Sequence, residues 1–162
     1  MRIGFSKDVH RLVRNRTLRL GGVNIPFKKG LLAHSDGDVV IHSLVDAIIG
    51  ALNLGDIGKL FPDNDKKYEN YNSIDFLDEM RSLLTKYKMY VEYIDIFISC
   101  EKPKLSDYTQ IMKANIANKL NIEPSRVSIK CGTNEKLGYV GKMKGIECFS
   151  TVLLMEEKDK HE

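Results

Sequence analysis

The first chemical signal lies in a handful of aspartates and histidines near the start of the chain. Asp8 and His10 stand two apart in a stretch that reads as a strand, so their side chains leave the same face. His42 has Asp38 four residues before it and Asp46 four after, which on a helix puts Asp, His and Asp on one stripe. Two imidazoles and one carboxylate are a normal three-ligand set for zinc, with the fourth tetrahedral position open to a substrate oxygen. Asp38 or Asp46 would then orient His42 from behind and fix its tautomer. The bland alternatives are a solvated strand pair and a helix face laced with i,i+4 pairs. Against the second, the stripe adjoins a strongly apolar face, where a buried carboxylate pair needs a compensating cation.

Two further groups carry weaker signals. His34 and Ser35 stand just before the helix that carries His42, where free backbone N–H groups and the positive dipole end favour an anion such as phosphate. The alternative there is Ser35 as a plain N-cap with His34 exposed. Thr133, Asn134 and Glu135 lie in the late polar loop. A single carboxylate beside hydroxyls and phosphate suits magnesium, which takes few protein ligands; a surface turn is the alternative.

The elements that must position these groups follow from periodicity. Strands are expected at 1–12 and 17–20, with a turn at Arg14-Asn15-Arg16 and a stop at Gly21-Gly22, and a short extended piece at 24–27. Val40, Ile41, Leu44, Val45, Ile48 and Ile49 recur at helical spacing, predicting a helix over 38–52 with Ser35 and Asp36 as candidate N-caps. Helices are also expected at 73–88 and 106–120, and strands at 91–100, 127–131 and 146–155. Loops join them at 55–65 and 132–145. This order predicts an α+β sandwich, one mainly mixed sheet with helices on one face. The strand at 91–100 is apolar on both sides, so the other sheet face needs a partner.

Length and composition bound the function classes. A chain of 162 residues holds one domain, expected at 1–157, with 158–162 (including His161) as a frayed tail. Its 25 Lys+Arg against 22 Asp+Glu give a net charge of +3, and 43% hydrophobic residues exclude a disordered chain. Nothing resembles a nucleic-acid module, a membrane span or a signal peptide. Arg11, Arg14, Arg16 and Arg19 read as a solvated hairpin. Cys100, Cys131 and Cys148 fit no zinc spacing and read as buried small hydrophobes in a reducing, cytoplasmic compartment.

Three segments together resemble the 2-C-methyl-D-erythritol 2,4-cyclodiphosphate synthase family: RIG…DVHRL (2–12), LLAHSDGDVVIHSLVDAIIGALNLGDIGKLFPD (31–63) and TNEKLGYVGKMKGIEC (133–148). The resemblance covers essentially the whole chain. It implies a lyase of non-mevalonate isoprenoid biosynthesis, ferredoxin-like in style and homotrimeric, with active sites between subunits. A cytoplasmic location is implied, or a stromal one if a targeting segment was removed. Zinc would be held by Asp8, His10 and His42, and magnesium or manganese by Glu135. His34 and Thr133 match positions that stabilise the transition state. Substrate contacts are implied for Ser35, Asp56, Ile57, Gly58, Phe61, Pro62, Asp63, Asn64 and Asp65. A cytosine pocket is implied around Cys100, Lys104, Leu105, Ser106, Cys131, Gly132 and Asn134, and substrate contacts are also implied for Tyr139 and Lys142, the latter at an anion site of the central trimer cavity.

Four departures from the family pattern stand out. The first motif reads Phe5-Ser6-Lys7, Gly132 stands where Thr is common, Lys142 replaces a frequent Arg at an anion site, and Cys100 and Cys131 sit where small residues line the cytosine pocket. The competing functions are a zinc-dependent phosphoesterase and a non-catalytic module binding nucleotides or isoprenoid diphosphates.

Overall fold

Alternation in the first segment builds β1 (Arg2–Arg14), longer than its apolar pattern alone suggests. Asn15, with φ of 60°, turns the chain at its end. β2 (Leu18–Leu20) and β3 (Val23–Ile25) form a separate two-stranded ribbon. β4 (Lys29–Leu31), not expected from the sequence, returns to pair antiparallel with β1. A computed structural model supplies these coordinates and describes residues 1–62 and 71–157.

α1 (Val39–Ala51) follows, and ten of its thirteen residues are buried. A helix apolar on nearly all sides belongs in the middle of a domain, and α1 lies across β1 and β7 (Gly145–Glu156). The approach is close. A Cβ on Gly4 of β1 would stand 1.9 Å from the Ala47 carbonyl oxygen, so any other residue there would push helix and sheet apart. Asp38 caps α1 by accepting from the Ile41 N–H at 3.2 Å. Ser35 and Asp36, the caps expected from sequence, lie too far upstream and serve the loop instead.

The loop after α1 contains a one-turn helix, α2 (Ile57–Leu60), capped by Asp56. The second long helix begins as a 3₁₀ turn, Ser73–Asp75, before becoming α3 (Phe76–Lys86). β5 (Met89–Ser99) carries a bulge between Val91 and Tyr93. The extra residue lets both Val91 and Ile94 face the core although they are an odd number apart. α4 (Thr109–Leu120), β6 (Val127–Gly132) and the one-turn α5 (Gly138–Gly141) complete the chain before β7.

The five-stranded sheet has the order β4-β1-β7-β5-β6. Every pairing is antiparallel except β5 with β6. This is the mixed sheet expected, and one continuous apolar core joins it to α1, α3 and α4. The opposite face carries Ile3 and Phe5, each 66% exposed, with Val9, Tyr93 and Phe97 also exposed. Phe149 stands between Phe5 and Phe97 in a row of rings with centroids 6.5 and 6.4 Å apart. Among the described residues no helix is long and apolar enough to cross a membrane.

Candidate metal centre

Asp8 and His10 both turn toward the helix-covered face of β1, as their spacing requires. His42, in the first turns of α1, meets them there. Asp8 Oδ2 lies 3.0 Å from His10 Nε2 and 3.3 Å from His42 Nδ1, and the two ring nitrogens are 3.0 Å apart. These three atoms satisfy the mutual distances of a metal-ligand set.

The outer nitrogens decide what the inner ones offer. His10 Nδ1 lies 3.1 Å from the Leu32 carbonyl oxygen, which can only accept, so Nδ1 carries a proton. His42 Nε2 lies 2.9 Å from Ser73 Oγ. Ser73 Oγ donates its own proton to Asp36 through a short bond, so it accepts from Nε2. Both neutral rings therefore turn an imine lone pair inward, onto a carboxylate. Asp8 Oδ2 is buried yet receives no properly directed hydrogen bond. Three converging lone pairs want a cation, and the donor set of two imidazoles and a carboxylate fits zinc. Burial alone would raise the Asp8 carboxyl, but where the rings carry protons on their inner nitrogens, hydrogen bonds from His10 and His42 outweigh it and hold the carboxyl well below the usual range. Burial likewise opposes charge on His10, and Asp8 more than compensates, raising it.

The cluster opens into a cavity of about 690 Å³. Lys7, His34, Ser35, Asp46, Ile57, Gly58 and Phe61 join the three ligands in lining it, with Phe76 at the wall. His34 is exposed and Ser35 half-buried, and Ser35 Oγ lies 3.2 Å from His42 Nε2. The loop that carries them is clamped from outside. Arg16 donates to the carbonyls on either side of His34, Ala33 at 3.0 Å and Ser35 at 2.9 Å. Arg19 stands 3.6 Å from Asp36. The arginine group is thus partly a brace for the site rather than a solvated hairpin.

Neither carboxylate expected to orient His42 does so. Asp38 is wholly buried and accepts from Gly21 at 2.8 Å, Gly22 at 2.7 Å and Ile41. Burial pushes its carboxyl up, and the Gly22, Gly21 and Ile41 N–H groups partly offset that. Asp46 accepts from Ser6 Oγ and the Ile57 N–H, both at 2.7 Å, tying α2 to β1. Ser73 and Asp36 take the orienting place. Ser73 carried no sequence signal because it lies on a different element, and Asp36 read only as a candidate cap.

The remaining expected residues divide by position. Asp56 accepts from the Lys59 N–H at 2.9 Å as the cap of α2, and Pro62 is exposed beside it. Asp63, Asn64 and Asp65 lie outside the described residues. The cytosine group sits at the other end of the sheet. Register aligns Asp8 with Cys148, Cys148 with Ile98 and Ile98 with Cys131. Three strand spacings separate Asp8 from Cys131, roughly 14 Å. Glu135 and Thr133 lie beyond that edge, both exposed, and Thr133 Oγ1 donates to Glu135 at 3.0 Å. Glu101 holds their loop by accepting from the Asn134 N–H at 3.2 Å, and Ser99 donates to the Asn134 side chain.

Leu105 is buried, Lys104, Ser106 and Lys142 are exposed, and Cys100 is buried with its Sγ 3.2 Å from the Lys102 carbonyl oxygen. Cys131 is exposed, against expectation, one residue from the end of edge strand β6. Gly132 has a steric reason: a Cβ there would come within 2.7 Å of the Phe97 ring. Tyr139 points to the uncovered sheet face, where its hydroxyl donates to Glu147 and Lys7 pairs with the same carboxylate at 2.7 Å.

A cluster of this donor set, opening on a cavity beside a helix N-terminus, is a candidate metal centre in an α+β domain. The profile of the YgbB family matches residues 1–155, and the chain belongs to that family. It is 50% identical over 159 residues to the 2-C-methyl-D-erythritol 2,4-cyclodiphosphate synthase of Finegoldia magna, covering 98% of this chain and 99% of that one. The enzyme of the same name from Clostridium botulinum (strain Alaska E43) is 49% identical over 146 residues, 90% of this chain and 93% of that one. Among solved structures, IspF of Plasmodium falciparum in complex with CDP aligns with TM-score 0.85 and 41% identity over 97% of each chain. The bifunctional IspDF of Campylobacter jejuni aligns with TM-score 0.92 and 43% identity over 96% of this chain, which spans only 42% of that longer protein.

Proposed function

We propose that this chain is a 2-C-methyl-D-erythritol 2,4-cyclodiphosphate synthase, a lyase of isoprenoid biosynthesis that closes a cyclic diphosphate and releases CMP. The observation that carries the reading is the convergence of Asp8, His10 and His42 on one cavity in a chain so similar to enzymes of that name. The substrate is 4-diphosphocytidyl-2-C-methyl-D-erythritol 2-phosphate. Its 2-phosphate oxygen bonds to the β-phosphorus, the bond from that phosphorus to the bridging oxygen breaks, and the electron pair leaves on CMP.

Asp8, His10 and His42 would hold zinc, which supplies Lewis-acid polarisation of a phosphate oxygen. Glu135 would hold magnesium or manganese, which supplies charge neutralisation between the phosphates. The protein's own share is positioning and electrostatic stabilisation, which together supply most of the rate in phosphoryl transfer. His34 and Ser35, braced by Arg16 next to the N-terminal end of α1, bind and orient phosphate at the cavity mouth. Thr133 steadies the charge developing on the transferred group. Asp56, Ile57, Gly58 and Phe61, with Pro62 and 63–65, embrace the erythritol and exclude water from the β-phosphorus. Residues 100–106 and 131–134 receive cytosine, and Tyr139 and Lys142 are further substrate contacts.

These two groups lie on opposite sides of the sheet's central strands β7 and β5 in one chain, so the reading includes a homotrimer in which each site is completed by a neighbouring copy. The exposed apolar sheet face of Ile3, Phe5, Val9, Tyr93 and Phe97 supports that assembly, since patches of this kind mark interaction surfaces. Incubation with the substrate, zinc and magnesium tests the activity: phosphorus NMR should show the cyclic diphosphate together with CMP. A linear product carrying oxygen from labelled water would instead make the protein a hydrolase.

A further inference from the structure

We propose that Asp36 and Ser73 are a positioning pair that locks His42 in the tautomer whose Nδ1 lone pair faces Asp8 and His10. The inference rests on reading those three residues as a metal site, and it concerns how this chain prepares one of the ligands.

The pair is built for that task. Ser73 is fully buried and opens the 3₁₀ turn that leads into α3. Its N–H, one of the donors a helical turn leaves without an internal partner, is held by Asp36 Oδ2 at 3.1 Å. Its Oγ–H goes to Asp36 Oδ1. One carboxylate thus grips both donors of the serine, which leaves the Ser73 Oγ lone pairs facing His42 Nε2 at 2.9 Å. Asp36 is itself fixed, accepting from the Asp38 N–H at 3.2 Å with Arg19 3.6 Å away. The chain His42 Nε2–H, Ser73 Oγ–H, Asp36 carboxylate runs in one direction only. Reversing it would need a proton on the carboxylate.

Ser35 Oγ also approaches Nε2, at 3.2 Å, but among the described residues no carboxylate hydrogen-bonds to it, and it accepts from the Gly37 N–H at 3.3 Å. Without Ser73 and Asp36, neutral His42 is free to carry its proton on Nδ1 and donate it to Asp8, which removes the lone pair a metal would use. Loss of such a partner to a ligating histidine typically weakens metal binding about 10- to 100-fold.

The test uses the full-length protein with nitrogen-15-labelled histidines, stripped of metal, and reads ring tautomers from long-range proton–nitrogen spectra, with the His42 signals identified by their loss in His42→Ala. Zinc affinity is then measured by competition with a chromophoric chelator. Wild type should show His42 protonated only on Nε2. Ser73→Ala and the near-isosteric Asp36→Asn should populate the Nδ1–H form and weaken zinc about 10- to 100-fold, while Ser35→Ala leaves both readouts as in wild type. A His42 that keeps its single tautomer and its zinc affinity in Asp36→Asn and Ser73→Ala overturns the proposal, as does a tautomer that responds to Ser35→Ala instead. If the protein binds no zinc at these residues, the metal reading fails, and the metal-free spectra still decide whether the pair sets the tautomer.

Discussion

The two ends of the sheet are built on opposite plans. At the β1 and α1 end, the side chains that would meet a cation are half-buried, and each is held by a second residue: Asp8 by the Val9 N–H, His10 by the Leu32 carbonyl, His42 by Ser73, while Arg16 braces the His34 loop. At the β6 end, Cys131, Thr133 and Glu135 are exposed, and the backbone at Glu135 and Lys136 takes positive φ. On the proposed reading, one end is a finished half-site within a single chain. The other is a surface shaped to meet something. A site divided in this way can be rigid where it holds a metal and still admit a large substrate between its halves.

The sharpest way to break the contrast is to remove a ligand from the finished end. His42→Ala and Asp8→Ala should lose stoichiometric zinc and slow CMP release on the order of 1,000-fold or more, the scale at which loss of one charge-stabilising group slows phosphoryl transfer. Elemental analysis and a CMP assay read both effects. Zinc retained at full occupancy in His42→Ala would place the metal elsewhere.

If the exposed end completes the site of a neighbouring copy, defects at the two ends should complement. Glu135→Ala and His42→Ala, each poorly active alone, are expected to regain activity when the two variants are co-expressed, because a mixed assembly contains some sites with both halves intact. Absence of recovery in verified mixed assemblies would mean that the two halves close within one chain.

Much of this division is legible in sequence because it rests on short-range rules. The Asp8–His10 spacing fixes a shared strand face whatever the tertiary fold, and the apolar pattern of α1 places His42 on a helix beside the core. The uncovered sheet face follows from β5, apolar on both sides. What escapes is set by contacts between elements distant along the chain. Asp38 and Asp46 satisfy the spacing rule for supporting His42, yet Asp38 is captured by the Gly21 and Gly22 amides and Asp46 by Ser6 and Ile57. Strand β4 is only three residues long and carries too short a pattern to read. Cys131 alternates correctly with its strand, and its exposure depends on its place near the end of edge strand β6, which the alternation does not encode.

A smaller effect probes the brace on the finished end. Arg16→Ala removes two hydrogen bonds from a guanidinium to half-buried loop residues, which should cost about 2–3 kcal/mol of stability and lower Tm by roughly 5–10 °C in a domain of this size. Arg16→Lys, able to reach one carbonyl at a time, should fall between. A melting temperature unchanged in Arg16→Ala would mean that the His34 loop holds itself.

The mildest probe compares the ends through their thiols. Burial pushes the Cys148 and Cys100 thiols up to about 12, with Cys131 adding to the effect on Cys100, and burial raises Cys131 as well. A raised thiol pKa lowers the thiolate fraction at pH 8, and thiolate is the reactive form. All three cysteines should therefore react with iodoacetamide more slowly than a free thiol. Accessibility then orders them: exposed Cys131 first, Cys100 far behind, Cys148 only after unfolding. Because labelling depends on thiolate, the Cys131 rate should climb as pH rises from 7 to 9. CMP should slow Cys131 and leave the order otherwise unchanged if the exposed end receives cytosine. Cys131 labelling that saturating CMP leaves unchanged would move the nucleotide away from β6 and undo the assignment of that end.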